Sequence, residues 1–184
     1  MTKNKNQNHP IDAVILWVDG NDEQHKQKIL PYVKDKKKVA TKSFRTRFDQ
    51  VNEINFTIDS IIKFAPFVRN IFIITDNQTP PFLTSKGSKG KYKNVSIVDH
   101  SVIFDGYAKY LPTFNCRPIE TCMYRIPNLA EHFIYFNDDF FLIYKEKPRK
   151  CEAFFIFGPM QSFLEEVVVD LSEDSCSYEN MVFI

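Results

Sequence analysis

Phe133-Ile134-Tyr135-Phe136-Asn137-Asp138-Asp139 runs four apolar or aromatic residues straight into three polar ones, two of them adjacent acids. Three earlier segments share the pattern. Ala13 to Val18 leads into Asp19-Gly20, Ile71 to Ile74 into Thr75-Asp76, and Val95 to Val98 into Asp99-His100. Short continuous apolar runs separated by amphipathic or polar stretches read as strands of a parallel sheet, buried on both faces. The fold class that follows is α/β, a Rossmann-like parallel sheet with flanking helices. In such open sheets ligands bind outside the carboxyl ends of the strands, where these aspartates fall. A row of carboxylates there suits a divalent cation that holds nucleotide phosphates. Asp, Asn and Gly also favour the turns that follow strands, and that explanation competes for each aspartate taken singly. It is weaker for Asp138-Asp139, because adjacent carboxylates repel unless a cation or hydrogen-bond donors offset them.

Composition narrows the class further. A chain of 184 residues is long enough for one domain with a proper core. Its 43% hydrophobic content places it among folded rather than disordered chains. No stretch approaches the roughly 20 apolar residues of a spanning helix. The polar segment 1–10 lacks the apolar centre of a secretory signal, so the expected location is cytoplasmic. Cys116, Cys122, Cys151 and Cys176 have neither paired spacing nor histidine neighbours, which favours free thiols over zinc or a disulfide framework. All 24 Lys and Arg residues precede Cys151, leaving residues 1–150 at about +8 and the remainder purely acidic. A basic body fits an anionic partner such as a nucleotide, an anionic polymer or a membrane face. No helix-turn-helix, zinc finger or aromatic RNA-binding run is present, so no nucleic acid is expected as a partner.

Between the strands, Asp22 caps a helix expected over Glu23 to Leu30 and ended or kinked by Pro31. Ile54, Ile58, Ile61, Ile62 and Ala65 fall at helical spacing before Pro66, and the link 67–70 leads to the second strand. Residues 79–91 read as an exposed loop, and Asn115 as the N-cap of a short helix through Arg125. Past Phe141, Phe154 to Phe157 and Val167 to Val169 are possible strands with no helix pattern joining them to what precedes.

These motifs, in this order, resemble the Stealth family of sugar-phosphate transferases, which includes bacterial capsule polysaccharide phosphotransferases and N-acetylglucosamine-1-phosphotransferase. Ile11-Asp12-Ala13-Val14-Ile15-Leu16-Trp17-Val18-Asp19-Gly20-Asn21-Asp22 is similar to its first conserved region. The second is matched from Arg47-Phe48-Asp49 and Asn52-Glu53 through Ala65 to Asp76, Val98-Asp99-His100, Leu111 to Asn115 and Ile119-Glu120, closing at His132 to Asp139. The resemblance implies transfer of a sugar 1-phosphate, typically N-acetylhexosamine 1-phosphate, from a UDP-sugar to an acceptor hydroxyl, with release of UMP. It implies Mg²⁺ or Mn²⁺ as cofactor, held by Asp138 and Asp139 with help from Asn137. Asp19 and Asp22 would act at the end of the first strand, and Trp17 or Asn21 would shape the nucleotide pocket. Arg47 is a phosphate contact on this reading, Asn115 lies on the acceptor side, and His100 is a base or a hydrogen-bonded structural histidine. Arg125 reaches substrate or pairs with Glu120 or Glu131. The implied partners are a nucleotide sugar, a polysaccharide or glycan acceptor, and capsule assembly machinery at the inner membrane.

The resemblance divides the chain into a polar extension 1–10, a phosphotransferase core 11–142 and an acidic tail 143–184. Family members carry further conserved regions downstream, with a histidine assigned as base and an arginine that helps hold phosphate. Residues 143–184 contain no histidine, and Arg149 is their sole arginine. On this reading the catalytic domain is incomplete, the tail is frameshifted or truncated, and the chain alone is weakly active or inactive. Two other readings fit the same acids: a metal-dependent glycosyltransferase that releases UDP, and a non-catalytic module that binds nucleotide sugars.

Overall fold

The structure, a computed structural model, describes residues 9–34, 52–84, 88–145 and 181–183. Four parallel strands form its centre: β1 (Ile11–Leu16), β2 (Val68–Thr75), β3 (Val95–Asp99) and β4 (His132–Asn137), in the order β3-β2-β1-β4. The Rossmann-like α/β class expected from the apolar runs is the one observed. Helices α1 (Glu23–Ile29) and α2 (Glu53–Phe64) follow β1. The short turns α3 (Pro81–Thr84) and α4 (Ser88–Lys91) follow β2, and α5 (His100–Ile103) and α6 (Cys116–Cys122) follow β3. A short strand, β5 (Phe140–Leu142), leaves β4 and pairs antiparallel with β6 (Met181–Phe183).

The apolar residues of β1 and β2 alternate between two cores, one on each face of the sheet. On one side Ala13, Ile15, Ile71 and Ile73 share a cluster with Ile54, Ile58 and Ile61 of α2 and with Phe136 of β4. On the other, Val14, Phe72, Ile74 and Phe133 share one with Ile103 and Phe104 after β3 and with Ile119 and Met123. Burial on both faces therefore holds for β1 and for most of β2, which lie inside the sheet. It does not hold for β3, where Ser96 and Ile97 are exposed; Ile97 retains 38% of its surface. An edge strand has only one neighbour to bring a covering layer over it.

Several expected boundaries shift for local reasons. The first α-helix closes at Ile29, and Pro31 sits in the 3₁₀ turn that follows, Leu30–Tyr32; proline suits a first turn because its missing N–H would be unpaired there anyway. Ile62 lies off the packed stripe of α2, which is completed instead by the buried polar residues Thr57 and Ser60. The segment taken as a link into the second strand is already strand from Val68. The segment 79–91 contains α3 and α4, and Pro80 within it is buried. The suggested strands at 154–157 and 167–169 lie outside the described residues. Cys116 and Cys122 are free thiols, as expected.

One residue of the central strand breaks the apolar rule. Asp12 is fully buried and accepts four hydrogen bonds: from Arg69 Nε (2.9 Å), Arg69 Nη2 (2.6 Å), the Asn70 amide (3.1 Å) and the Ala130 amide (2.7 Å). Arg69 Nη2 also reaches the Asn128 carbonyl at 2.9 Å. A buried carboxylate is tolerated only when paired and fully hydrogen-bonded, and this one ties β1 to β2 and to the loop entering β4. Arg69→Met strips the counter-charge from Asp12 and is expected to destabilise the chain by about 3–5 kcal/mol in urea denaturation. The double variant Asp12→Asn/Arg69→Met, which removes the buried charge as well, should recover part of that loss.

Candidate functional site

From β1 the chain steps outward to β2 and β3, then returns to the opposite side of β1 for β4. The strand order thus reverses between β1 and β4, and it is at the carboxyl side of such a switch point that open α/β sheets bind ligands. Leu16 lies opposite Asn137 in the ladder, so Trp17 to Asp19 and Asp138-Asp139 flank this point from the two sides. The Asn-Asp-Asp triplet occupies the one strand end at which topology and charge coincide.

Asn137 is exposed, and Asp138 and Asp139 are half-buried. The backbone that carries them is anchored from α2. Thr57 Oγ1 donates to the Asp138 carbonyl at 2.6 Å, and the Leu142 amide donates to Ser60 Oγ at 2.9 Å. Behind the triplet, Tyr135 Oη donates to Glu120 Oε1 at 3.2 Å. Burial pushes the Tyr135 hydroxyl well above the ordinary phenol range, and the negative charges of Glu120 and Asp138 add to the effect. Glu120 thus joins the acidic surroundings of Asp138, although α6 carries it. Asn115 is exposed, and its Oδ1 caps α6 by accepting from the Arg117 amide at 3.1 Å.

On the β1 side, Trp17 is buried and packs in the same apolar cluster as Ile15, Phe136 and the face of α2. Its amide extends the ladder to the Ile74 carbonyl at 3.0 Å. The Asp19 backbone is gripped twice by buried Gln78: the Asp19 amide donates to Gln78 Oε1 and Gln78 Nε2 donates to the Asp19 carbonyl, both at 2.9 Å. Asp19 Oδ1 accepts from the amide of exposed Asn21 at 2.8 Å, and Asp22 Oδ1 accepts from the His25 amide at 2.7 Å. These two carboxylates shape the loop and cap α1.

The remaining strand-end acids have structural partners. Asp76 accepts from Lys28 Nζ through both oxygens, at 3.0 and 2.9 Å. Asp99 accepts from the Ser101 amide (2.9 Å), Ser101 Oγ (2.5 Å) and the Asn77 amide (2.7 Å). Burial alone would raise the Asp99 carboxyl, but these hydrogen bonds outweigh it and hold it below its ordinary 3.8. His100 is buried at the start of α5, three strand positions from β4, or roughly 14 Å at about 4.8 Å per strand. The structure therefore does not bring His100 to the Asp138-Asp139 turn. Arg125 pairs with neither Glu120 nor Glu131; it donates to the carbonyls of Ile103 (2.9 Å) and Asp105 (2.6 Å), its guanidinium stacked 5.0 Å from the Tyr107 ring. Arg47 lies outside the described residues.

Among the described residues no group of three or more His, Cys, Asp or Glu side chains converges as a preformed metal cage. Mg²⁺ commonly uses one or two carboxylates and completes its shell with substrate phosphates and water. Asp138 and Asp139 supply that number. The sequence pattern did not single out Thr57, Ser60, Gln78, His25 or Lys28. For Thr57 and Ser60 a signal was present, two hydroxyls inside an otherwise apolar helical face; for Gln78 there was none.

Residues 9–37 match the family model described as Stealth protein CR1, conserved region 1, and residues 47–158 match Stealth protein CR2, conserved region 2. The chain belongs to the Stealth family. Similar Stealth relatives include the capsular polysaccharide phosphotransferase fcs1 of Haemophilus influenzae, 44% identical over 147 residues, covering 79% of this chain and 38% of the relative. The capsular polysaccharide phosphotransferase LcbA of Neisseria meningitidis is 44% identical over 146 residues, covering 79% and 37%. The exopolysaccharide phosphotransferase cps2G of Lactiplantibacillus plantarum is 40% identical over 132 residues, covering 72% and 36%. The chain thus spans little more than a third of the length of the curated relatives it matches. Both Stealth regions fall on the sheet just described, and the second contains the Asn137-Asp138-Asp139 end of β4.

His25 and His100 are both buried near the Lys28–Asp76 pair, and burial lowers the pKa of each. For His100 the charges of Asp76 and Asp99 oppose that shift, while Lys28 and His25 add to it. A depressed histidine costs nothing while neutral in both states. Below its ordinary 6.5 the unfolded chain takes up a proton that the folded chain refuses, so stability falls as pH drops toward the lower folded value. The urea midpoint is expected to drop between about pH 7.5 and 5.5, and His100→Gln to flatten that slope. An unaltered slope would show that His100 is not a source of it.

Proposed function

We propose that this chain provides the donor-binding core of a capsule or exopolysaccharide phosphotransferase. The reaction moves a sugar 1-phosphate from a UDP-sugar, with an N-acetylhexosamine as the expected sugar, to a hydroxyl of a polysaccharide or glycan. The observation that carries this reading is the position of Asp138-Asp139 at the reversal of strand order, within a sheet whose relatives are named phosphotransferases. The basic body before Cys151 agrees with an anionic donor and an anionic product polymer. Action at the cytoplasmic face of the membrane, beside capsule assembly machinery, fits the same charge. Among the described residues no helix is long and apolar enough to cross a membrane.

In this mechanism the diphosphate of the donor lies across the crevice between β1 and β4. Asn21 borders the nucleotide, with buried Trp17 shaping the pocket from beneath, and the Asn137 amide group donates to a phosphate oxygen. Asp138 and Asp139 would hold Mg²⁺ or Mn²⁺, which neutralises charge on the diphosphate. As its proton passes to water, the acceptor hydroxyl oxygen forms a bond to the phosphorus attached to the sugar, the bond from that phosphorus to the bridging oxygen breaks, and UMP leaves with the bridging oxygen. Catalysis of this kind depends chiefly on positioning and charge stabilisation, for which a rigid strand end is well suited. Asn115 and Glu120, carried by α6 and its cap, border the acceptor side. Arg47 is the proposed phosphate contact outside the described residues.

The full chain should bind UDP-N-acetylglucosamine saturably in calorimetry with Mg²⁺ present. Asp138→Asn and Asp139→Asn should each weaken that binding by about tenfold or more, the scale of a lost charge-assisted contact. Chelation with EDTA should weaken it similarly. Binding indifferent to both substitutions and to chelation would place the donor elsewhere. Any turnover should yield UMP; UDP would instead identify a glycosyltransferase.

A further inference from the structure

We infer that Thr57 and Ser60, on the buried face of α2, are positioning residues for the Asp138-Asp139 turn. Both side chains sit against the sheet in a layer otherwise made by Ile54, Ile58, Ile61 and Phe136, with Thr57 fully buried and Ser60 nearly so. A hydroxyl in such a layer is unfavourable unless its hydrogen bonds are made. Here they are made to the backbone on either side of Asp139. Thr57 Oγ1 donates to the Asp138 carbonyl at 2.6 Å, and Ser60 Oγ accepts from the Leu142 amide at 2.9 Å. Ser60 Oγ in turn donates to the Thr57 carbonyl at 2.7 Å, so the two anchors are joined through the helix itself.

The arrangement answers a specific need. β4 is an edge strand of the parallel sheet, and its partner β1 ends at Leu16, opposite Asn137. The chain beyond Asn137 therefore leaves the ladder just where its carboxylates must be held. Thr57 and Ser60 lie one helical turn apart on a twelve-residue helix and supply the missing donor and acceptor from a rigid element. The claim that this tether serves donor binding rests on the phosphotransferase reading above; the claim that it sets the turn does not.

The variants Thr57→Val, Thr57→Ser and Ser60→Ala test it, with Ile58→Val as a control that loosens the same packed cluster but keeps both hydrogen bonds to the turn. In amide hydrogen exchange of the full chain, Thr57→Val and Ser60→Ala should speed exchange from Asp139 to Leu142 by about tenfold relative to Ile58→Val, the equivalent of one hydrogen bond. Amides of β1 should keep the control's rates, and Thr57→Ser should restore the wild-type pattern. Exchange no faster than in the control would overturn the positioning role. With UDP and Mn²⁺ as probe, Thr57→Val should weaken calorimetric binding by about tenfold and Thr57→Ser by no more than about twofold. If wild type binds and Thr57→Val binds equally well, the link to donor binding is refuted. If wild type fails to bind, the donor-site reading falls, and exchange alone decides whether the hydroxyls set the turn.

Discussion

A charge buried in the middle strand of a sheet has to be answered on every side, and the way Asp12 is answered organises this protein. Its four donors come from Arg69 and Asn70 on β2 and from Ala130 before β4. Both neighbours of β1 are thereby pinned at their amino ends. A slip of register would separate the carboxylate from its donors, at a cost of several kcal/mol for an unpaired buried ion. With the amino ends fixed, the strand lengths determine how far each carboxyl end projects. Leu16 then comes to lie against Ile74 on one side and Asn137 on the other. The crevice geometry at one edge of the sheet is thus set by an ion pair at the opposite edge.

The same view separates acids that had looked equivalent. Asp99 is surrounded by donors from Ser101 and Asn77, Asp22 caps a helix, and Asp76 faces Lys28. Each illustrates how Asp serves turns and helix starts, with no ligand needed. At Asp138 and Asp139 the turn is held through its backbone, by Thr57 at the Asp138 carbonyl and by Ser60 at the Leu142 amide. Anchoring a turn by its main chain lets its side chains face a ligand without losing their placement.

What the sequence disclosed follows from what local chemistry can encode. Continuous apolar runs mark strands covered on both faces, so β1 and β2 were legible, as were the caps Asp22 and Asn115. The exposed face of β3 was not, because edge position depends on strand order, and order is a long-range property. Asp12 and Arg69 lie 57 residues apart, and Thr57 and Asp138 81 apart. No periodicity links such pairs. The Asn-Asp-Asp triplet stood out by its charge, yet its distance from His100 became apparent only when β3 and β4 were found at opposite edges.

The grip of Gln78 on Asp19 has a consequence for how this sheet meets an anion. In glycine-rich dinucleotide and P-loop folds, the loop after the first strand turns several unpaired backbone N–H groups toward phosphate. Here several of the corresponding amides are already engaged: Trp17 with Ile74, Asp19 with Gln78, Asn21 and Asp22 with Asp19, and His25 with Asp22. With those main-chain groups engaged, a diphosphate bound as proposed would lean on side chains and on a cation from the β4 side. Its affinity would then follow the concentration of a dissociable ion, as it would not in a cradle of fixed dipoles.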